Sequence, residues 1–371
     1  MKLTRRSTLA AFGGALTGTL ATPFVRPSWA QAGSVNIYNW ADYIGETTIA
    51  DFEAETGIGV VYDFYASSEE MQAKLLAGST GYDVVDMAGY SMPEFLAVNI
   101  YQKLDKSKLP NWKNLDPDII RLVDTFVPSS DYGMPYMWGG VGFTYNLDMI
   151  RERLPDADLT SLDTIFLPEN AAKLADCGIS ILDSPTDIGY MVMSWLGIDP
   201  GTAGPAEYEK MAAAFAQIRP YIQTFDNSNY LTAIPNKEVC AVNNWSGDYA
   251  VARARAAEAG IEINLGYYIP KTGAPMWYDV MCIPADAPNV ENAHLFLDYM
   301  MRPEVAAACS NYTGYANGNL ASRPFLDPAI ANDPAIYPDA VAIRQLYVTQ
   351  PQTPEQESQL TRIWTDIKAG G

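Results

Sequence analysis

The chain has 371 residues, with 44 acidic against 24 basic side chains and a formal net charge of −20. A duplex nucleic-acid binder carries a basic surface, so that class is excluded. A hydrophobic share of 48% is enough to bury a core, and the single histidine, His294, rules out multi-histidine metal sites and weakens histidine acid–base chemistry.

Residues 1–30 read as an export signal rather than as fold. They carry Lys2, Arg5, Arg6 and Arg26 and no acidic residue. Arg5-Arg6 precede a small-residue apolar stretch, Leu9 to Ala21, and Ser28-Trp29-Ala30 offers small residues for cleavage. The pattern has a twin-arginine look, and the general secretory route fits the same features. The stretch is short and diluted by Gly and Thr, which disfavours a membrane anchor. Its removal leaves 341 residues and a net charge of −24. That length suits about two domains. No later segment reaches the ~18 consecutive apolar residues of a membrane span, so the exported chain is expected not to be embedded in a membrane.

Ser34 to Asn39 reads as a buried strand. Thr47 or Thr48 can cap a helix with Ile49 and Phe52 on one face and Gly57 at its end. Val60 to Phe64 is a second strand. Ser67 and Glu70 form a capping-box pattern for a helix through Met71, Leu75 and Leu76 that stops at Gly78. Tyr82 to Met87 is a third strand. This β-α-β-α-β spacing predicts an α/β fold with a parallel sheet covered on both faces. Further on, Ile179–Leu182, Val239–Asn243 and Ile261–Tyr268 read as strands, and Asn292–Met301 as a helix. His294 reads as a surface residue of that helix. Gly139-Gly140-Val141-Gly142 lacks the spacing of a phosphate loop and suits a backbone crossing between domains.

Open α/β sheets bind ligands beyond the carboxyl ends of their strands. Trp40, Asp42 and Tyr43 follow the first strand, and Ala88, Gly89 and Tyr90 the third. Trp245 and Asp248 follow the strand at 239–243. Trp277 and Asp279 are two apart and face one side of a strand. Tyr315 stands in a loop-like segment. Taken singly, such a ring belongs to a core and such an Asp to a cap or turn more often than to a site. The repeated pairing of ring and carboxylate is what carries information. Aromatic faces attract organic cations by roughly 0.5–2 kcal/mol each. A carboxylate about 4 Å from an ammonium gains on the order of 4 kcal/mol at an effective dielectric near 20, before desolvation. Flat rings also cover methylenes, at about 0.8 kcal/mol each. The set suits a flexible aliphatic cation charged at both ends.

Asn36-Ile37-Tyr38-Asn39-Trp40-Ala41-Asp42-Tyr43-Ile44 closely resembles the opening of the periplasmic putrescine/spermidine-binding proteins of ABC importers. Similar matches are Phe52-Glu53-Ala54-Glu55-Thr56-Gly57-Ile58, Ala77-Gly78-Ser79-Thr80-Gly81-Tyr82-Asp83, Met134-Pro135-Tyr136-Met137-Trp138, Trp245-Ser246-Gly247-Asp248, Arg302-Pro303-Glu304-Val305 and Tyr315-Ala316-Asn317. The resemblance runs from Asn36 to the C-terminus and is nearest to putrescine-type members. It implies the type II periplasmic-binding fold: two α/β lobes joined by crossover strands, with a ligand cleft between them. The lobes would be residues 31–139 with 278–320, and residues 140–277 with 321–371.

The family's ring-lined slot maps onto Trp40, Tyr43, Trp245, Trp277 and Tyr315, and Tyr90 looks like a spermidine-type ring. Its ammonium-binding carboxylates map onto Asp42, Asp187, Asp248 and Asp279. Asp187 stands where members carry Glu, so its shorter arm leaves room for a bridging water. Ala41 and Ala88 replace hydroxyl residues common in the family. The implied function is capture of putrescine first, or spermidine, by a non-catalytic monomer that hands it to an ABC permease, with no cofactor and no metal.

The cysteines are Cys177, Cys240, Cys282 and Cys309, and their spacing alone allows three full pairings. The resemblance implies a Cys177–Cys240 disulfide and leaves Cys282 and Cys309 as buried thiols. Rival functions are weaker. A hydrolase would want a Gly-x-Ser-x-Gly elbow, which is absent. An iron binder would want clustered Tyr ligands, and an amino-acid binder a basic partner among the slot residues. A polyamine sensor shares every feature of the importer reading.

Overall fold

The computed structural model describes residues 33–65, 68–349 and 352–370. The export signal expected at 1–30 and the expected cap Ser67 lie outside the described residues. Among the described residues no helix is long and apolar enough to cross a membrane.

The first half opens as a parallel β-α-β-α-β unit. Strand β1 (Ser34–Trp40) is followed by a helix, Thr48–Thr56, then β2 (Gly59–Tyr65), a helix Ser68–Ala77, and β3 (Val84–Ala88). β1 lies between β2 and β3 and runs parallel to both. Alternation along the strands feeds two cores. Val35, Ile37 and Val84 face Phe52 and Phe296, whereas Tyr38, Val85 and Met87 face Met71 and Leu75. Gly57 ends the first helix in the left-handed region at φ 72°, where the missing Cβ removes the steric penalty. The Thr47 hydroxyl donates to the Asp51 carboxylate at 2.7 Å instead of capping the backbone. In the helix Ser68–Ala77, Leu75 is buried and Leu76 is exposed.

The long strand β4 (Gly133–Asn146) is buried throughout. Four short strands follow: β5 (Ile179–Ile181), β6 (Thr224–Phe225), β7 (Ala241–Trp245) and β8 (Leu265–Tyr268). β9 (Ala274–Cys282), β10 (Ala316–Asn317) and β11 (Leu346–Tyr347) complete the set. The strand order is β2-β1-β3-β9-β4-β7-β5-β6, with β8 and β10 on β4 and β11 on β9. β4 and β9 are antiparallel and belong to both halves of the molecule. β9 pairs with β3 on one side, and the far half of β4 pairs with β7 and β8. The β4–β9 register shifts between Pro135 and Trp138, where the ladder passes from one half to the other. The glycine-rich 139–142 stretch is therefore the interior of this crossover strand. The result is two α/β lobes joined by crossover strands, with a cleft between them. The turn Leu320–Phe325 remains on the first half, where the Ser322 hydroxyl donates to the Asn317 side chain at 2.9 Å.

Three local expectations shift. The strand expected at 261–268 covers only its second half. The strand expected at 239–243 extends to Trp245, so that Trp is its last residue. His294 is buried, not a surface residue: Nε2 accepts from the Asp105 backbone N–H at 3.0 Å and Nδ1 lies 2.8 Å from the Val290 carbonyl, to which it donates. Its neighbour Leu295 takes the exposed position. Cys177 and Cys240 form a disulfide with a Cα–Cα distance of 5.4 Å, tying the approach to β5 to the start of β7. Cys282 and Cys309 are free and buried.

Candidate functional site

The ends of β1 and β7, the middle of β9 and two loops bring rings and carboxylates together between the lobes. Trp40 closes β1, where its ring packs on Tyr65 with centroids 4.4 Å apart. Its backbone N–H is held by the Asn39 side-chain oxygen at 2.8 Å. Tyr43, three residues on, is buried and donates its hydroxyl to Asp279 Oδ2 at 2.7 Å. The Tyr136 hydroxyl donates to the Tyr43 carbonyl at 2.7 Å, which fixes the Tyr43 backbone from below. Edge-to-face contacts then run in a chain. Tyr136 meets Tyr43 at 5.5 Å, Tyr43 meets Tyr315 at 5.7 Å, and Tyr315 meets Trp277 at 5.2 Å. Such pairs contribute roughly 0.5–1.5 kcal/mol each beyond area burial, so the rings are preset.

The opposite wall is built on the start of the helix Ser246–Glu258, which follows β7 directly. Asp248 lies in its first turn, where the free backbone N–H groups favour a negative charge. Its carboxylate accepts from the Tyr315 hydroxyl at 3.3 Å and from the Tyr230 hydroxyl. Trp245 donates its indole N–H to Asp187 Oδ2 at 3.2 Å. Two glycines permit the close approach of the walls. A Cβ on Gly247 would come within 1.8 Å of the Tyr315 ring, and one on Gly139 within 2.6 Å of the Trp277 ring.

Two expected members are not brought into this cluster. Asp42 is exposed on a turn with φ 54°, a conformation Asp tolerates better than most residues. Tyr90 is 58% exposed at the end of β3 and donates its hydroxyl to Ser68 at 2.8 Å. Five of the ten expected ligand residues interlock, namely Tyr43, Asp248, Trp277, Asp279 and Tyr315; Trp245 and Asp187 form a second ring–carboxylate pair, and Trp40 packs on Tyr65, to make eight in all. Among the described residues no cluster of His, Cys, Asp and Glu fits a metal ion.

A family profile for bacterial extracellular solute-binding proteins matches residues 47–338. The chain belongs to that family. It is 42% identical, over 91% of its own length and 92% of the relative's, to the putrescine-binding periplasmic protein SpuD of Pseudomonas aeruginosa. It is 40% identical to the putrescine-binding periplasmic protein PotF of Escherichia coli, over 96% and 97% of the two chains. Among solved structures it superposes on the spermidine/putrescine substrate-binding protein PotD of Streptococcus pneumoniae with a TM-score of 0.82, at 24% identity and covering 91% of this chain and 99% of that one. The two-lobed fold is thus that of the type II periplasmic binding proteins.

The solute-binding protein holds its site carboxylates in an unusual electrostatic state. Burial raises Asp279 to about 7, only partly offset by the Tyr43 hydrogen bond. Burial also raises Asp248 to about 6 against the hydrogen bonds of Tyr230 and Tyr315, and Asp187 to about 6 against those of Ser184 and Trp245. Carboxylates held this way gain from an incoming positive charge, which restores their ionised form. Two contributors escape the sequence reading. Tyr230, which donates to Asp248, sits in a short helix with nothing in its neighbours to mark it. Tyr136 lies within a recognised motif but touches the site only through Tyr43.

Proposed function

We propose that this protein is an exported, periplasmic receptor that captures a linear polyamine and delivers it to an ABC permease. Putrescine is the first candidate and spermidine the second. The observation that carries the reading is the pairing of three site carboxylates, Asp279, Asp248 and Asp187, with ring-bearing donors. Tyr43 holds Asp279, Tyr315 and Tyr230 hold Asp248, and Trp245 holds Asp187. A dication lying across Trp40, Trp277 and Tyr315 meets a carboxylate toward either end. No Lys or Arg is among the eight gathered residues, so an amino-acid carboxylate finds no partner there.

Two relatives, SpuD and PotF, are putrescine-binding periplasmic proteins, which supports the same reading. They are binding proteins, and the reading for this chain is likewise transport-linked binding without catalysis. The lobes are taken as residues 31–139 with 278–320, and 140–277 with 321–371, save that the Leu320–Phe325 turn packs on the first. The ligand bridges them and stabilises closure through contacts it makes better in the closed form. The closed monomer then docks on the permease. Calorimetric titration with putrescine, spermidine, cadaverine and agmatine tests the reading. Saturable binding of at least one, with putrescine tightest, is expected. No heat from any of the four refutes it.

A further inference from the structure

Asp86 is fully buried, and no described residue donates to either of its carboxylate oxygens. A carboxylate left in this state is costly, and a fold that gains nothing from it would be better served by an apolar residue. The site already described does not account for it. Its position does. β3 and β9 pair antiparallel, with Ala88 opposite Asp279 and Asp86 opposite Met281. Directly opposed residues share a face, as do residues two apart on one strand. Asp86 and Asp279 are therefore diagonal neighbours on one sheet face, a separation of about 7–8 Å between Cα atoms. Asp86 lies two residue pairs deeper into the first lobe than Asp279, with Ala88 next to it on the same face toward the strand end.

The groups around the pair are polar but uncharged. The Tyr65 hydroxyl donates to the Asp86 backbone carbonyl at 2.8 Å, leaving the carboxylate itself untouched. Tyr43 spends its hydroxyl on Asp279. The hydroxyls of Tyr62 and Tyr101 are buried without partners of their own. Neither Lys nor Arg is among the groups that act on either carboxyl, whereas Asp86 feels the charge of Asp279. Burial and Asp279 together push Asp86 well above the ordinary carboxylate range.

We propose that Asp86 is a further carboxylate of the ligand site, and that it acts with Asp279 on one terminal ammonium of a linear polyamine. This rests on the polyamine reading given above. The ammonium binds Asp279 at the cleft floor and faces Asp86 past the Ala88 methyl. Its positive charge is what makes a second buried carboxylate favourable there. Asp86 thus makes this end selective for a fully charged primary ammonium over a neutral end group of the same length. It also makes the ligand-free protein less stable than it could be.

The test uses the full exported chain and two substitutions, Asp86→Asn and Asp86→Val. Putrescine and 4-amino-1-butanol, which has one ammonium and one hydroxyl, are titrated calorimetrically, and thermal unfolding is followed without ligand. The expected result is a tenfold to hundredfold loss of putrescine affinity in both variants. The preference for putrescine over the amino-alcohol shrinks, and the ligand-free melting temperature is unchanged or higher, most clearly for Asp86→Val. Putrescine affinity within twofold of the parent in both variants overturns the proposal. A fall in melting temperature alongside lost affinity in both variants also overturns it, because Asp86 then supports the fold. If the parent protein binds neither amine nor the longer polyamines, the polyamine reading itself fails, and this inference falls with it.

Discussion

Lowering the pH from 8 to 5 should weaken polyamine binding steeply, and the carboxylates of the site set the size of the effect. The ligand needs Asp279 and Asp248 ionised. Without ligand, burial holds them near about 7 and about 6. Alkylammonium groups titrate near 10, so the ligand keeps its charge across the whole range. At pH 8 both of these carboxyls are ionised before binding, so neither must lose a proton. At pH 5 a group titrating near 7 costs about a hundredfold in apparent affinity, and one near 6 about tenfold, since each pH unit below the pKa is a factor of ten. Together the dissociation constant should rise roughly a thousandfold between pH 8 and pH 5. Most of the change falls below pH 7. Asp187, raised to about 6 by burial, steepens the fall further where it also meets the ligand. Calorimetric titration with putrescine at pH 5, 6, 7 and 8 measures this, and Asp279→Asn should flatten the slope. Affinity constant within about threefold across the range would refute the reasoning, because buried carboxylates could not then be the ammonium partners.

Trp245→Ala removes a cation-facing ring and the donor to Asp187; affinity should fall about tenfold to a hundredfold while the far-ultraviolet circular dichroism is unchanged. Gly247→Val places a side chain where the Tyr315 ring lies, so closure and affinity should be lost together in small-angle scattering and calorimetry, with the melting temperature of the ligand-free form kept. Asp187, Asp248 and Asp279 titrate higher in the folded chain than in the unfolded one. The folded state therefore holds extra protons between about pH 4 and about pH 7, and ligand-free stability should fall as pH rises through that window. Thermal unfolding at pH 5 and pH 7.5 without ligand checks the sign. Replacing Cys177 and Cys240 by Ser opens a link across a sequence separation of 63 and should lower unfolding free energy on the order of 4 kcal/mol, read from the denaturant midpoint.

The opening unit was legible because it obeys short-range rules. β1, β2 and β3 are apolar runs separated by helices that end at Gly57 and Gly78, both at positive φ. The site was legible where its residues lie at strand ends or two apart on a strand, as Tyr43, Trp277, Asp279 and Asp248 do. Long-range geometry hid the rest. Asp42 sits one residue from the cluster in sequence, yet its left-handed backbone turns it to solvent. Tyr90 follows β3 as expected, but the turn after Ala88 leaves its ring outside. The helix around His294 carries mixed polarity, and a rotation that buries Phe296 and Leu297 also buries His294 and exposes Leu295. Tyr230 reaches Asp248 from a separate helix, a contact only the folded chain creates.

The central claim is that ligand recognition rests on three ring-held carboxylates in one cleft. Native mass spectrometry of the protein purified from its own periplasm, without denaturation, tests it most directly when run on the parent and on Asp279→Asn side by side. The account predicts one polyamine per chain on the parent, displaced by added putrescine, and its loss from the variant. A parent that carries no polyamine and takes up none when putrescine is added contradicts it, as does a variant that retains its ligand as firmly as the parent.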